Sequence, residues 1–253
     1  MKNNILLVGE SSVSNSIHYK GWDEFISTTF HLDADELINS IDTSKFNIDY
    51  LKGHEASENF PCKIDAIKKY SAIIFSDIGS NSILLHPKVW RKGETYPNRL
   101  QLVKEYVEIG GSFLMVGGYL SYQGINGSAR YKNTPIEEIL PVEIKPYDDR
   151  IEIPQGFRIN IENEEHEILN GLKGNWPPLL GLNEVVASKG SQTIVSIPKE
   201  LGSHPLLVTG KHGLGKTMAW TSDIGLHWVS QEFLLWPGYK KLWNQIFSWL
   251  VKE

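Results

Sequence analysis

The sequence predicts an α/β protein built on a mostly parallel sheet that is covered on both faces. Three observations carry this. Short runs of consecutive apolar residues recur along the chain, segments with helical spacing or helix-start chemistry separate them, and each run ends on Gly or Ser-Asp, the chemistry of a turn. An apolar run of four or five residues has no polar face. It therefore suits a strand buried on both sides, which is the condition of a parallel sheet.

In order along the chain, residues 5–8 form the first such strand, ending at Gly9. Residues 33–38 open with acids, which favour a helix N-terminus. Residues 46–51 read as the second strand, 63–70 as a short helix, and 72–75 as the third strand, ending at Ser76-Asp77. Residues 78–97 read as a long polar connection. Residues 98–109 form a helix with Leu100, Val103, Val107 and Ile109 roughly on one side, stopped by Gly110-Gly111. Residues 113–116 are the fourth buried strand, running into Gly117-Gly118-Tyr119. From about 141 to 200 short alternating segments punctuated by Pro and Gly read as a β-rich excursion within a single domain spanning 1–253. Two strands follow at 205–209 and 217–221, around a glycine-rich turn. A closing helix at 239–251 carries Tyr239, Leu242, Trp243, Ile246, Phe247 and Leu250 on one broad apolar face.

Composition narrows the function classes. The 253 residues, 41% hydrophobic and 22% charged, suffice for a sizeable core. A net charge of −5 without Lys/Arg clusters argues against nucleic acid and anionic membranes as partners. The single cysteine, Cys62, can make neither an internal disulfide nor a Cys-rich zinc site. No apolar run approaches the roughly 20 residues of a membrane span, and the expectation is a cytoplasmic protein. No resident cofactor or metal is implied, and the partners expected are a small polar ligand and further copies of the chain.

Residues 210–217 match the phosphate-loop pattern letter for letter. That chemistry needs a helix immediately after the loop, whose first N–H groups face the phosphates. The segment that follows is β-branched and aromatic and stops at Ser222-Asp223. The glycines therefore serve a hairpin turn, and nucleotide binding is not expected.

A short echo points to the functional edge. Residues 76–79, Ser-Asp-Ile-Gly, recur as residues 222–225, each copy after a buried strand. The C-terminal ends of parallel strands share one edge, where ligands bind, so Asp77 and Asp223 should meet there unless each merely caps a turn. Residues 110–121 have the form of a strand running into a sharp turn and then a helix, the elbow that holds a nucleophile in hydrolases.

Four stretches together resemble the class I glutamine amidotransferase-like superfamily, specifically its "putative glutamine amidotransferase" branch. They are residues 18–23, residues 76–87 with His86-Pro87, residues 117–124, and residues 221–239 with His227-Trp228. The resemblance implies a flavodoxin-like, doubly wound sheet. It also implies glutamine hydrolysis by a Cys-His-Glu triad, in which a thiolate attacks the amide, the His moves protons and the acid orients the His. Here Gly118 and Tyr119 stand where the cysteine belongs. Cys62 lies well before the elbow and reads as a small packed residue. His227 falls about where the family's His sits, but the acid expected two residues on is Val229, and the nearest acid is Glu232. Glutaminase activity is therefore not expected.

The edge can still do other chemistry. His227, Asp223, Asp77 and Tyr119 are the candidate catalytic residues. Glu10, His18, Lys20, Asp23, Asn81, Gly118 and Ser121 are candidate ligand contacts, with His18, Lys20 and Asp23 in a loop after the first strand that closes over the edge. Carboxylates beside an imidazole suit general acid/base work or a divalent metal, and carboxylates beside Trp22, Tyr119 and Trp228 suit a polyol or sugar. The rival readings are a metal-dependent hydrolase and a non-catalytic binding or oligomerisation module with an aromatic patch around Trp90 or Trp176. His86 and His18 could equally be structural.

Overall fold

The computed structural model describes residues 2–172 and 174–252. Its strands are β1 (Asn3–Gly9), β2 (Ser11–Lys20), β3 (Asp23–Leu32), β4 (Phe46–Lys52), β5 (Ala72–Ser76), β6 (Ser112–Val116) and β7 (Val142–Ile144). They continue with β8 (Arg150–Phe157), β9 (Asn160–Ile161), β10 (Leu179–Asn183), β11 (Val185–Ala187), β12 (Gln192–Ser196), β13 (Pro205–His212) and β14 (Gly215–Trp220). The helices are α1 (Asp35–Ser40), α2 (Gly53–Asn59), α3 (Ile64–Ile67), α4 (Ser80–Leu84), α5 (Pro87–Lys92), α6 (Arg99–Glu108), α7 (Pro135–Ile139), α8 (Gln231–Leu235) and α9 (Pro237–Val251).

Eight strands form one sheet in the order β4-β1-β5-β6-β14-β13-β12-β9. The pairings from β4 to β14 are parallel, and those from β14 to β9 are antiparallel. Counted among themselves, the five parallel strands run 2-1-3-4-5. Their uninterrupted apolar runs have the expected cause, because alternate side chains feed two separate cores. Ile5, Leu7, Ile74, Leu114 and Trp220 face α1 and the apolar side of α9. Leu6, Val8, Ile73, Phe75, Phe113 and Ala219 face α2, α6 and α7. The six apolar residues expected on the closing helix are all buried.

The phosphate-loop look-alike is the β13–β14 hairpin, with Lys211 paired to Lys216 and His212 to Gly215. Lys216 Nζ donates to the Trp249 and Lys252 carbonyls at the end of α9, where a cation offsets the helix dipole.

Four expectations need correction. Residues 78–97 are not a featureless connection but carry α4 and α5. The loop after β6 runs through turns with no α-helix following it, so the elbow is not formed at Gly118 and Tyr119. Trp176 is buried and offers no surface patch, whereas Trp90 is exposed. Residues 11–32, expected as a loop, form a separate two-stranded ribbon, β2–β3, closed by a turn at Gly21-Trp22. Its Ser and Thr content hid a period-two pattern, with apolar residues at Val13, Ile17 and Tyr19 and again at Ile26, Phe30 and Leu32. Of the excursion at about 141–200, β8–β10 and β7–β11 form two small sheets, while β12 and β9 extend the main sheet.

Candidate functional site

The C-terminal ends of β1, β5, β6 and β14 lie side by side, and each is followed at once by a residue named from the sequence. Glu10 follows β1, Asp77 follows β5, Gly118 and Tyr119 follow β6, and Asp223 and His227 follow β14.

Asp77 sits in the left-handed region, φ 41°, unusual and strained for a residue with a side chain. The helix α4 begins three residues later. Strand, strained residue and helix make the elbow geometry, and it stands at Asp77 rather than at Gly118. Two hydrogen bonds stitch this turn to the loop after β6. The Asp77 N–H donates to Ser121 Oγ at 3.2 Å, and Asp77 Oδ1 accepts from the Leu120 N–H at 2.6 Å.

The loop after β6 is clamped from the other side. The Gly118 N–H donates to Asn183 Oδ1 at 3.0 Å, and Asn183 Nδ2 donates to the Gly118 carbonyl at 3.2 Å and to Asp149 Oδ1 at 2.9 Å. Asp149 also accepts the N–H groups of Gln123 and Gly124, at 2.8 and 2.9 Å. A buried carboxylate and amide thereby satisfy backbone that forms neither helix nor sheet.

On β14's side, Asp223 Oδ1 accepts the Ile224 N–H at 2.7 Å. Its Oδ2 lies 3.7 Å from His227 Nδ1. Asp223, four residues before the His, is therefore the acid placed against the imidazole, where the sequence alone offered Val229 two residues on and Glu232 as the nearest acid. Trp228 stacks on His227 with ring centroids 5.1 Å apart, and Tyr119 meets His227 edge-on at 4.3 Å. Trp228 is itself buried, with its indole N–H on Glu152 Oε2 at 3.0 Å. It backs the imidazole and presents no face to a ligand. Arg150, held by Asp148 through bonds of 2.9 and 2.8 Å, lies 5.0 Å over the Tyr119 ring.

The electrostatics follow from crowding acids at one edge. Burial, then the charge of Asp223, pushes the Asp77 carboxyl up to about 6. Burial, with Asp223 and Asp77, pushes Glu10 well above the usual carboxylate range, against the opposing bond from Ser76 Oγ. Asp33, whose N–H donates to the Glu10 carbonyl at 3.1 Å, is raised by burial and by Asp223. Burial alone would lower His227, but the nearby carboxylate of Asp223, with the charges of Glu152 and Asp77, outweighs it and raises the imidazole. The site thus pairs an imidazole that favours its proton with a carboxyl titrating near neutrality, the arrangement general acid/base chemistry needs. Among the described residues no three His, Cys, Asp or Glu side chains converge closely enough to hold a metal ion.

The remaining candidates go elsewhere or do something else. Ser121 is buried and holds the Asp77 turn. Asn81 is exposed on the first turn of α4. His18, Lys20 and Asp23 lie on the exposed ribbon, not in a loop closing over the edge. The His18 ring stacks on Phe25 at 4.5 Å with Nε2 2.8 Å from Ser27 Oγ, Lys20 lies over Phe25, and Asp23 pairs with Lys20 across the strands. Trp22 is at the ribbon's tip, likewise not beside the acids. His86 has a structural role, accepting the Lys88 N–H at the start of α5 and stacking on Tyr96. Cys62 sits against Tyr96, near Arg99, rather than beside His227.

Sequence reading missed Asp149, Arg150, Glu152 and Asn183. They come from β8, β10 and the turn before β8, and nothing local in the sequence marks them as neighbours of the edge. A cleft of about 780 Å³ elsewhere, lined by Lys145, Glu162 and His204 among others, shares no residue with the acid cluster. Chemistry rather than volume therefore marks the site, which meets solvent at the exposed Leu120 and Leu226.

The comparisons agree with this architecture. The chain is similar to Cytoplasmic Protein STM3548 from Salmonella typhimurium, with 38% identity and a TM-score of 0.92 over 97% of this chain and 98% of that one. It is similar to Cytoplasmic Protein STM1381 from Salmonella typhimurium LT2, with 39% identity and a TM-score of 0.91 over 98% and 99% of the two chains. A thua-like protein from Parabacteroides merdae shares the fold, with a TM-score of 0.59 at 11% identity over 100% of this chain and 91% of that one. No curated protein matches the chain. No helix among the described residues is long and apolar enough to cross a membrane. The family model described as "Putative glutamine amidotransferase" matches residues 4–252, and the chain belongs to that family.

Proposed function

We propose that this protein is a cytoplasmic, flavodoxin-like member of the family that has no glutaminase activity and that binds or transforms a small polar ligand by acid/base chemistry at the strand edge. The strand order 2-1-3-4-5 supports the flavodoxin-like assignment, and the two Salmonella relatives named as cytoplasmic support the location. The carrying observation for function is the meeting of Asp77, its carboxyl pushed up to about 6, with the Asp223–His227 pair at one edge.

In this reading Asp77 gives and takes a proton near neutral pH, His227 does so from the opposite side, and Asp223 orients the imidazole. Tyr119 walls the ligand. Glu10 is buried, and burial with the charges of Asp223 and Asp77 holds its carboxyl well above the usual carboxylate range. The thiolate chemistry of active relatives has no support here, because the residue at the elbow is Asp77, Gly118 carries no side chain, and Cys62 is packed near Arg99.

The test is a thermal-shift screen of small hydroxylated and amide ligands, run with an ammonia-release assay on glutamine. A ligand that raises Tm in the wild type and not in Asp77→Asn or His227→Ala supports the reading. Ammonia release by the wild type that Cys62→Ala abolishes would overturn it.

A further inference from the structure

The β2–β3 ribbon carries an unused surface. Antiparallel register sorts its side chains cleanly onto two faces. One face pairs Val13 with Phe30, Asn15 with Thr28, Ile17 with Ile26, and Tyr19 with Glu24. The other pairs Ser12 with His31, Ser14 with Thr29, and Ser16 with Ser27. The aromatic on this polar face, Phe25, is covered by the His18 ring and the Lys20 ammonium. The polar pair within the apolar face is satisfied inside the ribbon, where Thr28 Oγ1 donates to Asn15 Oδ1 at 2.8 Å.

The apolar face is open to solvent. Tyr19 is 72% exposed, Ile26 69%, Phe30 61% and Ile17 57%, and Trp22 at the tip is fully exposed. The ribbon's base leans on α2, where the Gly53 N–H donates to Ser11 Oγ at 2.8 Å and Phe30 faces His54 at 5.6 Å. A two-stranded ribbon standing alone in water is marginal at best, since it has no core of its own.

We propose that this apolar face is the contact between two copies of the chain, ribbon against ribbon around a two-fold axis. Three arguments favour a second copy. The apolar side chains of Val13, Ile17, Tyr19, Trp22, Ile26 and Phe30 expose on the order of 800 Å², which exceeds the largest patch of a typical monomer and matches one partner's share of a stable interface. The stripe's one fully polar pair, Asn15 with Thr28, is satisfied internally and its one charge, Glu24, stands at the tip end, so the apolar positions between can meet their own copies across a two-fold axis. Between residues 11 and 32 the formal charges are Lys20, Asp23 and Glu24. That balance does not suit an anionic membrane surface, which selects basic segments.

The ribbon also springs from the acid cluster, because Glu10 precedes β2 and Asp33 follows β3, with the Asp33 N–H on the Glu10 carbonyl. Pairing the ribbons therefore steadies the segment that carries two of the site's acids. The surface is distinct from the exposed Trp90 on α5.

Sedimentation velocity on the full chain at about 10 µM tests this, since interfaces of this area bind at micromolar or tighter. The wild type should sediment as a dimer. The double variant Ile17→Glu/Ile26→Glu should sediment as a monomer, with dimer affinity weakened at least ~100-fold, because association would bury two unpaired charges from each copy. A second variant joins Ser12 to His31 by an Asn-Gly turn. It removes the face while keeping the ribbon's closing pair, and it should also be monomeric with the melting of the body unchanged. A monomeric wild type, a dimer that survives in either folded variant, or a wild-type monomer that co-sediments with anionic vesicles would each overturn the proposal.

Discussion

Gly118 leaves no room for a side chain beside Asp77. A Cβ built on Gly118, whose φ is 141°, would lie 2.7 Å from Asp77 Oδ1. The end of β6 is here packed flat against the carboxylate at the end of β5.

The first prediction follows from that contact. Gly118→Ala should destabilise the protein by ~2 kcal/mol or more, from the strained φ and the crowding of Asp77 together. Gly118→Cys should suffer the same loss, with ammonia release from glutamine staying at background. Urea melts and the ammonia assay check both outcomes. A well-folded Gly118→Cys that hydrolyses glutamine would show the elbow to be intact.

Stability should depend on pH through Asp77. Its carboxyl binds its proton more tightly folded, at about 6, than unfolded, at 3.8. That contribution is complete below 3.8 and is lost as pH rises through about 6. His227, also raised by folding, adds stability below its unfolded pKa that likewise fades as pH rises. Asp77→Asn should match the wild type near pH 4 and exceed it by ~1–2 kcal/mol at pH 8, the full shift of about 3 kcal/mol being reduced by partial exposure. Melts at the two pH values measure the difference. An equal gain at both would mean that the carboxylate carries no strain of charge.

Asn183 should matter more to stability than its position in a short strand suggests. It closes hydrogen bonds to both polar groups of the Gly118 backbone and to Asp149. Asn183→Ala strands three buried partners and should cost ~2–4 kcal/mol. Hydrogen exchange should show the loss concentrated in residues 117–124. A change within ~0.5 kcal/mol would mean that solvent replaces the clamp.

Lys216 offers the control for the misleading glycine motif. Lys216→Ala should leave ATP affinity unchanged, because no helix follows the turn. It should lower stability by ~1 kcal/mol through the lost cap on α9. A large drop in nucleotide binding would reverse the hairpin assignment.

The fold was legible where local pattern and tertiary environment coincide. Residues 72–75 and 113–116 have no polar position, so only a doubly covered strand accommodates them. The face of α9 repeats at helical spacing. The ribbon at residues 11–32 was not legible, because seven of its residues are Ser or Thr and the weak alternation stayed below that polarity. The acids at strand ends could be named from the repeated Ser-Asp-Ile-Gly. Their partners could not, since Asn183 lies 65 residues from Gly118 and Glu152 76 residues from Trp228.

By itself the sequence determined which segments are the buried strands of the parallel sheet, that the glycine-rich motif is a turn, and that a cysteine is missing where the resemblance demands one. Those properties depend on side-chain periodicity and on residue identity at one position, and both are local. Only the tertiary structure decided that the strained elbow belongs to Asp77, that Asp223 rather than Glu232 lies against His227, and that His18, Lys20 and Trp22 stand on a projecting ribbon. Charge coupling and burial depend on distances between elements far apart in the chain, and a linear pattern carries no information about those distances until the sheet order is known.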